Sequence, residues 1–130
     1  MKIVSLFAGC GGLDLGLHRA GHEIVHASDF DKDSVNTYNG YFEKKAELMD
    51  VHNLKGKDLP TYDLLTGGFP CQGFSIANIR RTRDDSRNQL YTQIVRLLKE
   101  SKPKFFLLEN VAGILSLEKG AVVKQIIKEL

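Results

Sequence analysis

A doubly wound, mostly parallel α/β sheet is the fold these 130 residues predict. Short apolar runs alternate along the chain with stretches of helical period. Glycines punctuate the strand ends, at Gly9, Gly11 and Gly12 and again at Gly67-Gly68. The run Phe105-Phe106-Leu107-Leu108 carries no polar residue, as expected of a strand covered on both faces. Such alternation builds a parallel sheet with right-handed crossovers and helices on both sides.

Taken in order, residues 2–7 read as a buried strand that stops at the glycines. Leu13, Gly16, Leu17 and Ala20 then fall at i, i+3, i+4 and i+7, which predicts a helix closed by Gly21. Residues 23–28 give a second strand centred on Ile24-Val25. Val35, Tyr38 and Phe42 mark a second helix, and residues 46–49 a weak third strand. Residues 62–66 form the fourth strand. Leu90, Ile94, Leu97 and Leu98 share one face of a long helix, and residues 104–108 make the fifth strand. Val122, Val123, Ile126, Ile127 and Leu130 predict a last helix. No repeat, linker or low-complexity tract divides the chain, so one domain is expected over residues 1–130.

Hydrophobic residues make up 42% and charged residues 26% of the chain, which is ordinary for a globular domain. No apolar run approaches the ~20 residues needed to span a bilayer, and a cytoplasmic protein is expected. The two cysteines, Cys10 and Cys71, lie far apart, which argues against a disulfide scaffold and leaves room for a working thiol. The net charge of +2 says little, but Arg80, Arg81, Arg83 and Arg87 crowd one short segment, offset by Asp84 and Asp85. That segment reads equally as a solvated loop or as a phosphate-contacting one. His18, His22 and His26 are spaced by four, but Gly21 ends the helix between them, so a shared metal-binding face is not expected.

In open parallel sheets, ligands sit outside the carboxyl ends of the strands, where the strand order reverses. Segments 9–12, 69–72 and 109–110 all follow predicted strands and should therefore converge on one edge. In the first, Phe7-Ala8-Gly9-Cys10-Gly11-Gly12 leads into a helix whose free N–H groups suit a carboxylate. Asp29 follows at the end of the second strand, where an acid grips a ribose diol, and Phe30 beside it is placed to lie against a purine. Asp14 stands where a dinucleotide fingerprint requires its third glycine, so the turn suits a nucleoside joined to an amino acid better than a dinucleotide. A tight turn imposed by packing alone would read the same way. Cys71, in Gly68-Phe69-Pro70-Cys71-Gln72-Gly73-Phe74-Ser75, sits at a strand end, whereas inert cysteines usually occupy element interiors. Glu109 ends an apolar strand, where burial would favour a protonated, hydrogen-bond-donating carboxyl, although a capping or ion-paired role fits too.

These three segments, in this order, resemble the first, fourth and sixth motifs of the C5-cytosine-specific DNA methyltransferase family, and they reach across nearly the whole chain. The resemblance implies a Rossmann-like S-adenosylmethionine-dependent methyltransferase fold, here truncated after the fifth strand and following helix. Residues 1–130 would be the N-terminal, cofactor-binding and cysteine-nucleophile part of a catalytic domain. It implies methyl transfer from S-adenosyl-L-methionine to C5 of cytosine in double-stranded DNA, within a restriction-modification system. Cys71 would be the nucleophile, Glu109 the partner of the cytosine ring, and Asn110 a positioning group. Asp29 would hold the cofactor ribose, Phe30 stack on its adenine, and Asp50 with Val51 contact the adenine edge. Phe7, Gly9, Gly11 and Leu90 would complete the pocket. Residues 75–88 resemble a mobile loop that closes over an extruded base, with Ser75, Arg80, Arg81, Arg83 and Arg87 on the nucleic acid.

A tRNA cytosine-C5 methyltransferase shares nearly all these motifs, although Phe69 before Pro70-Cys71 tilts the reading toward DNA. A non-catalytic, cofactor-binding subunit is the other alternative. A nucleotide-dependent oxidoreductase is disfavoured by Asp14. Asp29 stands where relatives more often have Glu, and Asn88 where many have Gly. The target-recognition region and the final cofactor motif have no counterpart here. Weak cofactor binding, little turnover, an exposed apolar edge near the last helix and a separate C-terminal polypeptide as partner are therefore expected.

Overall fold

The structure, a computed structural model, describes residues 1–70 and 90–130. Among these residues five parallel strands form one sheet: β1 (Lys2–Leu6), β2 (Glu23–Asp29), β3 (Glu47–Leu48), β4 (Leu64–Gly67) and β5 (Phe105–Leu108). Their order is β3-β2-β1-β4-β5, so the direction of winding reverses between β1 and β4. Four α-helices accompany them: α1 (Gly12–Arg19), α2 (Lys32–Tyr41), α3 (Leu90–Ser101) and α4 (Ala121–Glu129). Short 3₁₀ turns at Val51–Asn53 and Gly56–Asp58 lead from β3 toward β4.

Side chains alternate across the pleat, and β1 therefore serves two cores. Val4 and Leu6 join Leu65, Ile94, Leu97, Val122 and Ile126 beneath α3 and α4. Ile3 joins Ala27, Leu64, Val35 and Tyr38 beneath α2. This is the doubly wound arrangement. Strand register sets the carboxyl ends level: Leu6 faces Ser28 on one side and Gly67 on the other, and Gly67 faces Leu108. Asp31 caps α2, its side chain accepting from the Ser34 N–H at 2.8 Å.

Two expectations are corrected. The first is the phase of α1: Leu13 is 39% exposed, and Gly16 and Ala20 are exposed, whereas Asp14 is 1% exposed. Ser5 and Tyr38 both donate hydrogen bonds to Asp14, and these turn the helix so that a carboxylate rather than a leucine faces the sheet. The second is β5, which is not covered on both sides. Phe105, Phe106 and Leu107 are 56%, 49% and 43% exposed, because β5 is an edge strand of the described sheet and only Leu108 packs against the core. Val111, Leu115, Ile127 and Leu130 are exposed as well.

Candidate active site

Two clefts open side by side at the carboxyl edge of the sheet, and Phe7 lines both. Phe7 leaves β1 with φ of 54°, a left-handed conformation unusual for a bulky residue, and Gly9 and Gly11 follow at 55° and 88°. Such strain persists where the surroundings impose it. Here the Gly9 N–H donates to Asp29 Oδ2 at 2.8 Å, pinning the turn across β2.

The first cleft, of about 200 Å³, is lined by Phe7, Ser28, Asp29, Phe30, Met49, Asp50, Val51, His52 and Leu90. Every residue expected to contact the nucleoside through its side chain meets here: Phe7, Asp29, Phe30, Asp50, Val51 and Leu90. Asp29 Oδ1 accepts from the Asp31 N–H at 2.9 Å and Oδ2 from Gly9, so two of about four carboxylate acceptor sites are engaged. The remaining lone pairs suit a vicinal diol. Phe30, 69% exposed, stands as an unpacked ring beside this carboxylate. Asp50 Oδ1 accepts from both the backbone N–H of His52, at 2.9 Å, and its ring Nδ1, at 2.7 Å. The backbone bond above all holds the Asp50 carboxyl below the usual carboxylate range. Acceptors, an exposed ring and buried Val51 together make a pocket suited to a nucleoside.

The second cleft, of about 310 Å³, is lined by Ser5, Leu6, Phe7, Ala8, Leu13, Asp14, Gly68 and Glu109. Glu109 follows β5, and its N–H donates to the Gly67 carbonyl at 3.0 Å. A Cβ at Gly68 would lie 3.3 Å from Glu109 Oε2, so glycine there leaves room for the carboxylate. Glu109 is exposed, contrary to the expected burial, because no element among the described residues covers β5. Asn110 donates from Nδ2 to the Phe69 carbonyl at 2.8 Å and accepts from the Val111 N–H at 2.9 Å. It ties the chain after β4 to the chain after β5, next to Pro70, which directly precedes Cys71.

Gly9 and Gly11 line neither cleft. Gly9 anchors Asp29, while Gly11 packs so tightly that a Cβ would meet Phe42 at 2.5 Å and Tyr38 at 2.9 Å. Cys71, Ser75, Arg80, Arg81, Arg83, Arg87 and Asn88 lie outside the described residues. His18 and His26 fall on α1 and β2, so the histidines spaced by four do not share one helix face.

Sequence reasoning missed Asp14 as a lining residue and Met49 and His52 as pocket walls. Asp14 accepts from Ser5 Oγ at 2.7 Å and Tyr38 Oη at 2.9 Å, and burial raises its pKa against the opposing effect of both bonds. An acid inside an otherwise apolar helix stretch was the available signal.

The parallel sheet, with its clefts at the point where winding reverses, is Rossmann-like. A solved E. coli prophage-encoded protein, described as a DNA modification methyltransferase, superposes over 100% of this chain and 37% of its own, with a TM-score of 0.81 and 36% identity. The sequence matches the C-5 cytosine-specific DNA methylase family over residues 1–130, and the chain belongs to that family. It is 45% identical to the Type II methyltransferase M.FnuDI of Fusobacterium nucleatum over 99% of this chain. It is 43% identical to M.NgoPII of Neisseria gonorrhoeae over 98%. The chain spans 38% of the length of each of these two relatives. Among the described residues, no helix is long and apolar enough to cross a membrane.

Proposed function

We propose that this chain supplies the cofactor-binding and nucleophile-bearing part of an enzyme that methylates C5 of cytosine in double-stranded DNA. Its relatives are Type II methyltransferases, which favours a place in a restriction-modification system. The observation that carries the reading is the meeting of the two clefts at Phe7, with Asp29 and Asp50 in one and Glu109 in the other.

In this reading Asp29 accepts from the ribose hydroxyls, Phe30 covers the adenine face, and Asp50 with Val51 borders its edge. S-adenosylmethionine, when bound, supplies a methyl group on a sulfonium. The Cys71 thiolate adds to C6 of the extruded cytosine, forming a C–S bond and moving the 5,6-double-bond electrons into the ring. Glu109 donates to N3 and offsets the charge that develops there. A base in the cleft would itself exclude water from the carboxyl, supplying the desolvation that the exposed β5 does not. Asn110, through the Phe69 carbonyl, keeps the strand end that precedes Cys71 in register with Glu109. After methylation, loss of the C5 proton restores the double bond and expels the thiolate. Arg80, Arg81, Arg83 and Arg87 contribute phosphate contacts, which give affinity without reading sequence.

Target reading and the rest of the cofactor pocket fall to the portion of the relatives' length that this chain does not span. The deciding experiment incubates the chain, S-adenosylmethionine and a 5-fluorocytosine duplex, with and without the C-terminal portion of a relative, and maps adducts by mass spectrometry. Fluorine at C5 blocks proton loss, so a covalent complex at Cys71 is expected with DNA and absent from Cys71→Ser. Adduct formation with an RNA counterpart alone would move the substrate from DNA to RNA. No adduct with either nucleic acid, in the presence of the C-terminal portion, would reject the reaction.

A further inference from the structure

One wall of the 200 Å³ cleft is a loop, and the loop is held from behind. Arg96, half-buried on α3, points its guanidinium at the turn Val51–Asn53. Its Nη2 donates to the Val51 carbonyl at 3.1 Å and the Leu54 carbonyl at 2.8 Å, bracketing that turn. Nη1 donates to Glu100 Oε1 at 2.9 Å and Nε to Gln93 Oε1 at 2.8 Å, which fixes the plane of the fork. Glu100, one helical turn on, accepts the Gly56 N–H at 2.7 Å through Oε2. Gly56 lies so close to α3 that a Cβ would stand 2.6 Å from Glu100 Cβ.

The same helix begins at Leu90, which lines the cleft that Asp50, Val51 and His52 also line. One guanidinium therefore joins two walls of one pocket. A planar fork with five donors spans two carbonyls, a carboxylate and an amide together, which a lysine ammonium cannot do in one plane. We infer that Arg96, with Glu100 and Gly56, is a positioning residue that sets the Asp50–Val51 edge against the purine and so governs which purine is accepted. The inference rests on the nucleoside reading of this cleft. A brace serving only stability would weaken every ligand alike; a brace that places the purine edge acts on the difference between purines.

The test is a ligand-observed NMR titration of the 130-residue chain with S-adenosylhomocysteine and S-inosylhomocysteine, which differ at the purine 6-position. The wild-type chain is expected to prefer the adenosyl ligand by about tenfold or more. In Arg96→Lys and Arg96→Gln the preference should fall to about threefold or less, chiefly through loss of adenosyl affinity. Gly56→Ala, which keeps Arg96 but pushes the loop off α3, should do the same. Circular dichroism and thermal melting report whether each variant is folded. A preserved ratio in the folded variants, or unfolding of all three, would overturn the inference and leave Arg96 as a structural brace. Absence of any preference in the wild-type chain would instead remove the nucleoside reading, and this inference with it.

Discussion

Phe30 stands 69% exposed beside Asp29 and belongs to neither core cluster, so its ring is available to a ligand without supporting the fold. Phe30→Ala is expected to change unfolding free energy by less than about 0.5 kcal/mol. It should weaken S-adenosylhomocysteine binding by roughly 1 kcal/mol, the worth of an aromatic stack, in a calorimetric or NMR titration. Equal binding by the variant would remove Phe30 from the pocket's chemistry. Gly11 presents the opposite case. Its φ of 88° and the contacts a Cβ would make with Phe42 and Tyr38 leave no relaxed solution for alanine. Gly11→Ala should cost about 2–4 kcal/mol, combining a left-handed backbone with overpacking. Urea unfolding reads this directly, and a loss below about 1 kcal/mol would show that α2 can move away. The glycine was visible in the sequence as part of a turn. Its real neighbours, from a helix over twenty residues on, were not.

At the scale of elements, the β2–β3 pair carries a titratable contact. His26 is 7% exposed, its Nε2 has no hydrogen-bond partner among the described residues, and its Nδ1 lies 3.6 Å from Glu47 Oε1. Burial lowers its pKa below 6.5, Glu47 opposes that shift, and Lys44 adds to it. The unfolded chain, with the higher pKa, takes up the proton first. Stability from this group is therefore complete above about pH 6.5 and falls as pH drops toward the lower folded-state value. His26→Val should abolish that component, so that its stability relative to wild type is better at pH 5 than at pH 7. Urea midpoints at the two pH values decide the matter; an unchanged difference would show that His26 does not titrate on unfolding. Element order was legible throughout, because period-2 and period-3.6 apolar patterns report local geometry. The phase of α1 was not, since the hydrogen bonds from Ser5 and Tyr38 that turn Asp14 inward come from other elements.

For the whole molecule, β5 presents an apolar edge among the described residues. A strand edge with Phe105, Phe106 and Leu107 exposed invites pairing with another chain. Phe106→Lys is expected to lower the fraction of chain that self-associates in sedimentation experiments, while shifting the thermal midpoint little. It should also reduce productive assembly with a C-terminal polypeptide from a relative. Unaltered sedimentation and assembly would show that this margin is not a pairing surface. An apolar strand is a sound sequence signal, but whether anything covers it depends on residues elsewhere, which is why burial was expected for both β5 and Glu109.

By itself the sequence determined the doubly wound fold class, the order of the elements and the placing of Asp29 and Phe30 at a strand end, while Phe7, Asp50, Val51 and Leu90 joined them only through the family resemblance. Strand-end positions in a parallel sheet converge by topology, and motif spacing records that convergence. Tertiary structure alone decided what Asp14 faces, how exposed Glu109 is and that Arg96 holds the pocket wall. Each depends on a partner 9 to 45 residues away, or on the lack of a covering element, and no local periodicity encodes either.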